Sequence, residues 1–307
     1  MKRVLVTGGA GFIGSHVADG LVAAGYEVAV VDNLSTGRRE YVPVGAQFFP
    51  YDIKTKDTLE LICRWRPQVI IHHAAQMSVQ SSVADPLGDA QENILGSLNI
   101  FQGAAQAGVS KIIFASTGGA LYGDEAPLPA GEADPAAPES PYGIAKLAVE
   151  HYLRFYHRQF GIVPISLRYA NVFGPRQNGL GEAGVVAIFI EKFLAEEQPI
   201  INGDGGQTRD FVYVGDVVAA NMLALDYPRP GVFNIGTGRE TDILTIYLAL
   251  QKLTGSSRGP VHGPPKPGEQ RRSVLDCRLA GELLGWQPRV SLTEGLESTV
   301  AAFRERG

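Results

Sequence analysis

Through the first half of the chain, short apolar runs alternate with helix-length amphipathic stretches. The runs Val4–Thr7, Glu27–Asp32, Gln47–Tyr51, Val69–His73, Lys111–Ser116 and Pro164–Tyr169 are mostly β-branched and bounded by Gly, Pro or Asp. That is the pattern of strands buried on both faces. Helical periodicity falls between them, over Phe12–Ala24, Thr58–Trp65, Asp89–Ala107 and Tyr142–Phe160. Asp57 and Glu60 have capping-box spacing at the start of the second of these helices. Regular strand–helix alternation predicts an α/β fold with a doubly wound parallel sheet and right-handed crossovers.

After about Ala170 the alternation weakens and the connections lengthen. A helix over Asp216–Leu225 and a strand over Val232–Ile235 still look like parts of the sheet. The chain is therefore expected to form a first domain over 1–170, with 208–236 returning to it. A smaller, discontinuous α/β substrate-binding cap would come from 171–207 and 237–307. The Gly- and Pro-rich run Ser256–Pro267 predicts a loop.

Composition narrows the class. The 307 residues are 45% hydrophobic and 19% charged, enough to bury a full core and far from a disordered chain. The net charge is −5 and the basic clusters are only pairs, Arg38-Arg39 and Arg271-Arg272. Neither nucleic acid nor an anionic membrane is expected as a partner. The two cysteines, Cys63 and Cys277, have no CxxC spacing, which suits a reducing cytoplasm. The apolar run at the N-terminus stops at Thr7-Gly8-Gly9, too soon for a secretory leader. His72, His73, His151 and His157 lack HExxH or carboxylate partners, so no metal site is expected.

The first chemical signal is Thr7-Gly8-Gly9-Ala10-Gly11-Phe12-Ile13-Gly14, between a predicted strand and a predicted helix. Gly8 permits the tight turn, Gly11 lets backbone approach a pyrophosphate, and Gly14 lets helix and strand pack closely. The phosphates would rest on the helix N-terminus. The spacing is one residue longer than the Rossmann G-x-G-x-x-G. Asp32 ends the second strand, where a carboxylate holds ribose hydroxyls and repels a 2′-phosphate, so NAD is expected rather than NADP. Arg38-Arg39 read as solvated loop charges.

The second signal is Tyr142 and Lys146, four apart and so on one helix face. A phenol, which ordinarily titrates at about 10, is a poor base at neutral pH. A neighbouring ammonium and a cationic nicotinamide ring would bring it down. Ser116-Thr117 ends the fifth strand, at the edge where ligands bind in such sheets. Tyr152, Phe155 and Tyr156 read as a packing face.

These motifs, with Asp32–Gly37, Asp52-Ile53, His72–Ala75, Asn93, Ser116–Gly123 and Arg168–Arg176, resemble the extended short-chain dehydrogenases/reductases, specifically the NAD-dependent epimerase/dehydratase family. Within it the chain is most similar to the 4-epimerases of UDP-hexoses. The resemblance implies NAD contacts from Gly8, Gly11, Phe12, Ile13, Gly14, Asp32, Asn33, Ser35, Thr36, Gly37, Asp52, Ile53, Ala74, Ala75, Gln76 and Asn93. Tyr142, Lys146, Tyr169 and Ala170 would lie by the nicotinamide. It also implies a UDP-sugar held by Asn171, Arg209, Lys266 and Glu269, and a homodimer built through the helices Asp89–Ala107 and Tyr142–Phe160. Lys266 stands where relatives usually have Arg, losing the bidentate fork.

The family's usual catalytic hydroxyl position is Gly118 here, which shifts the role to Thr117. Gly118 and Gly119 supply neither acid nor base, which disfavours dehydration. The expected activity is a UDP-hexose 4-epimerase for the UDP-glucose/UDP-galactose pair. Ser273, small where some relatives carry a bulky Tyr, suggests room for N-acetylhexosamines. The alternatives are a UDP-glucuronate 4-epimerase or decarboxylase, for which Arg176 is available, a nucleotide-sugar reductase, and a non-catalytic NAD-binding redox sensor.

Overall fold

The computed structural model describes residues 2–179, 184–265 and 270–305. Lys266 and Glu269 lie outside the described residues. The chain opens with β1 (Arg3–Thr7), α1 (Phe12–Ala23), β2 (Glu27–Val31), β3 (Ala46–Phe49), α2 (Lys56–Trp65) and β4 (Val69–His72). There follow α3 (Val79–Ala84), α4 (Pro86–Ala90), α5 (Gly96–Ala107), β5 (Lys111–Thr117), α6 (Pro141–Phe160), β6 (Val163–Tyr169) and β7 (Asn171–Phe173). The remainder is α7 (Val185–Leu194), β8 (Ile200–Asn202), β9 (Thr208–Tyr213), α8 (Val214–Asp226), β10 (Gly231–Ile235), β11 (Glu240–Asp242), α9 (Ile243–Thr254), β12 (Val261–Gly263), α10 (Arg278–Leu284) and α11 (Leu292–Arg304).

Seven strands form one parallel sheet in the order β10-β6-β5-β4-β1-β2-β3. The period of two along each strand explains why helices cover both faces. Val4, Val6, Val28, Val30, Ile113 and Ala115 join one core, while Leu5, Ala29, Val31, Ile112 and Phe114 join the other. The first core packs against α1 and α8, the second against α2, α5 and α6. Strand order reverses between β1 and β4, and this switch point opens a crevice at the carboxyl ends of the strands.

A further core contains Phe173, Phe189, Phe193, Tyr247, Leu250 and Phe303. It gathers α7, α9 and α11 over the three-stranded sheet β11-β9-β7. Residues expected in the cap do not all stay there. Ala280, Leu284 and Trp286 enter the core of the large sheet, and the Trp286 indole donates to the Asp216 carbonyl at 2.8 Å.

Three local expectations are corrected. The second helix starts two residues earlier, with Thr55 as N-cap, and Glu60 pairs with Lys56 instead of closing a capping box. Asp89–Ala107 is not one regular helix, because Gln91–Leu95 forms a π-turn between α4 and α5. The run 256–267 holds a short strand, β12, paired with β8.

Candidate active site

The turn after β1 is built by what it lacks. Gly8 has φ +69°, and a Cβ on it would lie 2.6 Å from the Ala74 nitrogen. A Cβ on Gly14 would lie 2.8 Å from the Gly8 carbonyl carbon and closer still to its oxygen. Only glycine lets β1, β4 and the start of α1 converge this tightly. The N-cap of α1 is Gly11, with no side chain over the helix end, so its free N–H groups open into the cleft.

Asp32, buried at the end of β2, accepts from Ala10 N at 2.9 Å and Leu34 N at 2.8 Å. Both carboxylate oxygens are thereby oriented at the cleft wall. Arg38 pairs with Glu40 at 3.6 Å and lies over Tyr41, while Arg39 lies over the Phe48 ring at 4.6 Å.

One cleft of about 2010 Å³ runs from this turn across the switch point. Its walls include Gly8, Gly11, Phe12, Ile13, Gly14, Asp32, Asn33, Ser35, Thr36, Ile53, Ala74, Ala75 and Gln76. Thr117, Tyr142, Lys146, Tyr169, Ala170, Asn171 and Arg209 line it further on. Four expected site residues sit behind these walls. Gly37 packs against Ala10 and Asp32, and Asp52 is engaged by Asn33 and Lys54. Asn93 is buried, exchanging hydrogen bonds of 2.9 Å with the Gln76 backbone, and so holds Gln76 at the wall. Ser273 is buried beside β9, where its N–H donates to the Thr208 carbonyl at 3.2 Å.

The catalytic wall is built by side chains from different elements. Ser140 caps α6 through Gly143 N, and Pro141 occupies the first helical position, which sets Tyr142 at the helix entrance. The Thr117 hydroxyl, at the end of β5, accepts from Ala120 N at 3.2 Å and lies near enough to the Tyr142 phenol to favour its ionised form. Lys146 is buried, with Nζ donating to the Ala115 carbonyl at 2.9 Å and lying 5.7 Å from the Tyr142 ring centroid.

Burial pushes the Tyr142 phenol up to about 12, with Asp89 adding to the rise and the Thr117 hydroxyl opposing it. This reverses the expected direction for the phenol. Withdrawal from water and the Asp89 charge together outweigh what Thr117 does to favour the phenolate. Burial also pulls Lys146 down to about 8, against the opposing pull of Asp89 and Glu150.

Behind this wall lies a polar frame whose centre, Glu150, composition and motif spacing did not single out. Arg168 Nε and Nη2 reach the two Glu150 carboxylate oxygens at 3.0 and 2.7 Å, both partners buried. Ser116 donates to Glu150 at 2.6 Å, and Arg168 donates to the Tyr122 hydroxyl at 2.8 Å. Removing one partner of such a buried pair costs about 3–5 kcal/mol. Glu150 lies four residues beyond Lys146, one more helical turn along the Tyr142 face, and that spacing was its available signal.

His73 is a second addition. It stacks on Tyr169 at 6.1 Å, its Nε2 lies 3.3 Å from the Tyr169 hydroxyl, and its Nδ1 has no partner among the described residues. An unsatisfied buried nitrogen on the cleft wall, together with the glycine cradle and the oriented Asp32, fits a bound dinucleotide. Among the described residues no group of His, Cys, Asp and Glu could hold a metal ion.

The reversed strand order, the glycine turn and the Thr–Tyr–Lys cluster define a dinucleotide-dependent enzyme of the short-chain dehydrogenase/reductase class. The chain belongs to the NAD dependent epimerase/dehydratase family, whose model matches residues 4–236. It is similar to UDP-glucose 4-epimerase of Mycolicibacterium smegmatis, with 43% identity over 99% of both chains. It is also similar to a crystal structure of UDP-glucose 4-epimerase with UDP-glucose from Thermotoga maritima, at TM-score 0.97 and 50% identity over 99% of each chain. The Thermus thermophilus UDP-glucose 4-epimerase in complex with NAD gives TM-score 0.94 and 47% identity, covering 98% of this chain and 99% of that one.

Proposed function

We propose that this chain is an NAD-dependent UDP-hexose 4-epimerase acting on the UDP-glucose/UDP-galactose pair. The observation that carries the reading is the convergence of Thr117, Tyr142 and buried Lys146 in one cleft with the glycine turn. Relatives named for that activity match over nearly the whole chain.

When bound, NAD would supply a reversible acceptor for the C4 hydride, held by the glycine turn and Asp32. Tyr142, as phenolate, takes the proton of the sugar 4-hydroxyl, and Thr117 hydrogen-bonds that hydroxyl as the proton departs. Lys146 contributes the positive charge that favours the phenolate once the cofactor is in place. Asn171 and Arg209, on β7 and β9, face the same cleft and are positioned to hold the nucleotide diphosphate, with Lys266 and Glu269 assigned to the same task. Rotation of the 4-keto sugar within the cleft exposes its opposite face to the returning hydride, and Tyr142 returns the proton. The walls exclude water while the ketone exists.

Arg176, on which the glucuronate alternatives rest, still lines the cleft but is drawn through Nη1 to Asp19 at 2.6 Å and the Ser15 hydroxyl at 3.1 Å, which favours the neutral hexose. A passive sensor has no use for a Tyr–Thr–Lys cluster, and a reductase would consume NADH with net turnover. Ser273, buried outside the described wall, gives the N-acetylhexosamine extension no support.

We also propose a homodimer. Ile144, Tyr152, Phe155 and Phe160 on α6, with Leu87 and Leu95 near α5, leave an exposed apolar face that includes Tyr152 and Phe155 of the expected packing face. A second copy of α5 and α6 would cover it. The two free thiols suit the cytoplasm, and no described helix is long and apolar enough to cross a membrane.

The test is incubation of the purified protein with a panel of UDP-sugars, with product stereochemistry read by NMR. Interconversion of UDP-glucose and UDP-galactose without added NADH is expected. Net NADH consumption, or no inversion at C4, would overturn the reading.

A further inference from the structure

Gly118 follows the Thr117 hydroxyl directly, and the proposed chemistry makes no use of it. It bends just past the end of β5, with its N–H donating to the Tyr169 carbonyl at the end of β6 at 2.7 Å. A Cβ at this position would lie 2.8 Å from Cδ2 and 3.1 Å from Cγ of Leu275, and closer still to Cδ1. The neighbouring Gly119 is different, since a Cβ there would meet only Asn171 Oδ1 at 3.6 Å. The tightness belongs to one residue pair and not to the turn as a whole.

Leu275 cannot easily give way. It is 1% exposed, in a small core with Leu121, Tyr122 and Ala130. Its segment is fastened on both sides: Ala130 N donates to the Val274 carbonyl at 2.9 Å and Asp276 N to the Ala130 carbonyl at 2.8 Å. Asp210 ties the same segment to β9, accepting from Leu275 N at 3.4 Å and from Thr237 N at 2.7 Å. A side chain that arrives about 160 residues after the turn therefore presses on the backbone carrying the hydroxyl.

We propose that Leu275 is a positioning residue for hydride transfer. By filling the space beside Gly118 it fixes the turn after β5 and so holds the Thr117 hydroxyl beside Tyr142. The inference rests on the epimerase reading, and it makes Gly118 and Leu275 a coupled pair. Adding a Cβ at 118 should displace Thr117, and removing the leucine branches should make room for that Cβ. A purely structural role predicts instead that kcat per folded, cofactor-loaded protein stays at the wild-type value in all three variants, whatever happens to their melting temperatures.

The experiment compares Gly118→Ala, Leu275→Ala and the double variant as cofactor-loaded protein, reading kcat, KM and melting temperature with UDP-galactose. The epimerase reading is tested separately by the wild type, whose failure to invert C4 would sink that reading before any variant is made. Gly118→Ala is expected to lose on the order of 100-fold in kcat with KM little changed, the scale of an ångström-sized misplacement. The double variant should recover at least about tenfold of that loss even if it melts lower. Near-wild-type kcat in Gly118→Ala, or a double variant no faster than Gly118→Ala, overturns the proposal. If Gly118→Ala does not fold, Leu275→Ala decides alone. A fall in kcat with KM and bound cofactor unchanged supports the proposal, and wild-type kcat refutes it.

Discussion

The two ends of the cleft are built by opposite means. At the cofactor end, backbone shapes the site: glycines admit close approach, the start of α1 presents bare N–H groups, and even Asp32 is oriented by two backbone amides. At the chemical end, side chains from β5, β6 and α6 hold one another, with Thr117 beside Tyr142, Lys146 on Ala115, and Glu150 on both Ser116 and Arg168. A backbone-built site fails when an atom is added, because there is no space for it. A side-chain-built site fails when an atom is removed, because a bond or a proton carrier goes with it. Apart from Gly118, where Leu275 closes the chemical end against an added carbon, the two ends should therefore respond differently to the smallest possible substitutions.

The largest effect is expected from Tyr142→Phe. It deletes one oxygen at the chemical end and leaves the ring in place against Lys146. Loss of the proton carrier should lower kcat by about 100- to 10,000-fold. Melting temperature and cofactor content should stay near wild type, since the ring and its packing are unchanged and the folded protein no longer buries a phenol. Steady-state kinetics with cofactor content measured by absorbance checks this. Near-normal turnover would remove Tyr142 from the mechanism.

At the other end, Gly14→Ala adds one carbon where the Gly8 carbonyl already stands. Overpacking of this kind costs about 1–3 kcal/mol, and here the strain falls on the phosphate-facing turn. The protein should be isolated with little bound dinucleotide, and activity should return in part at high added NAD. That pattern, weak binding with an intact proton carrier, is the reverse of Tyr142→Phe. Full cofactor retention in Gly14→Ala would break the contrast.

The same contrast explains what could be read from residue order. Strand candidates such as Glu27–Asp32 and Pro164–Tyr169 fall within a residue or two of β2 and β6, because strands covered on both faces are apolar at nearly every position. Glycine spacing is equally local, since the turn, its strand and its helix are one contiguous segment. The chemical end is assembled from residues far apart. Glu150 meets Arg168 and Ser116, and Leu275 meets Gly118, only after the sheet has formed. Asn93 shows the limit in the other direction: its motif was visible, but its place behind Gln76 depends on the π-turn of Gln91–Leu95, which periodicity does not signal. Asp57 and Glu60 had the right spacing for a cap, but Glu60 found Lys56 one turn away.

The smallest predicted effect concerns stability and pH at the chemical end. Burial draws Lys146 down to about 8 in the folded protein, against an ordinary lysine value of 10.5. Between those values the unfolded chain carries a proton on this lysine that the folded chain has shed. Stability of the cofactor-free protein should therefore rise with pH across this window, and the charge on Lys146 is a cost to folding below it. Lys111 is drawn to about 8 by burial as well, so wild type alone cannot separate the two. Lys146→Met can, because it keeps apolar bulk beside Phe114 and removes this one titration. The lost ammonium contacts with Ala115 and Phe114 shift stability without setting where the pH dependence falls. Relative to wild type, Lys146→Met should be most stabilised at or below pH 8, and the difference should shrink toward pH 10.5. Urea midpoints of the two proteins at about pH 7, 8.5 and 10 measure it. A difference that stays constant, or grows with pH, would mean that Lys146 keeps its charge at little cost, and that the ammonium is better satisfied than its bond to the Ala115 carbonyl suggests.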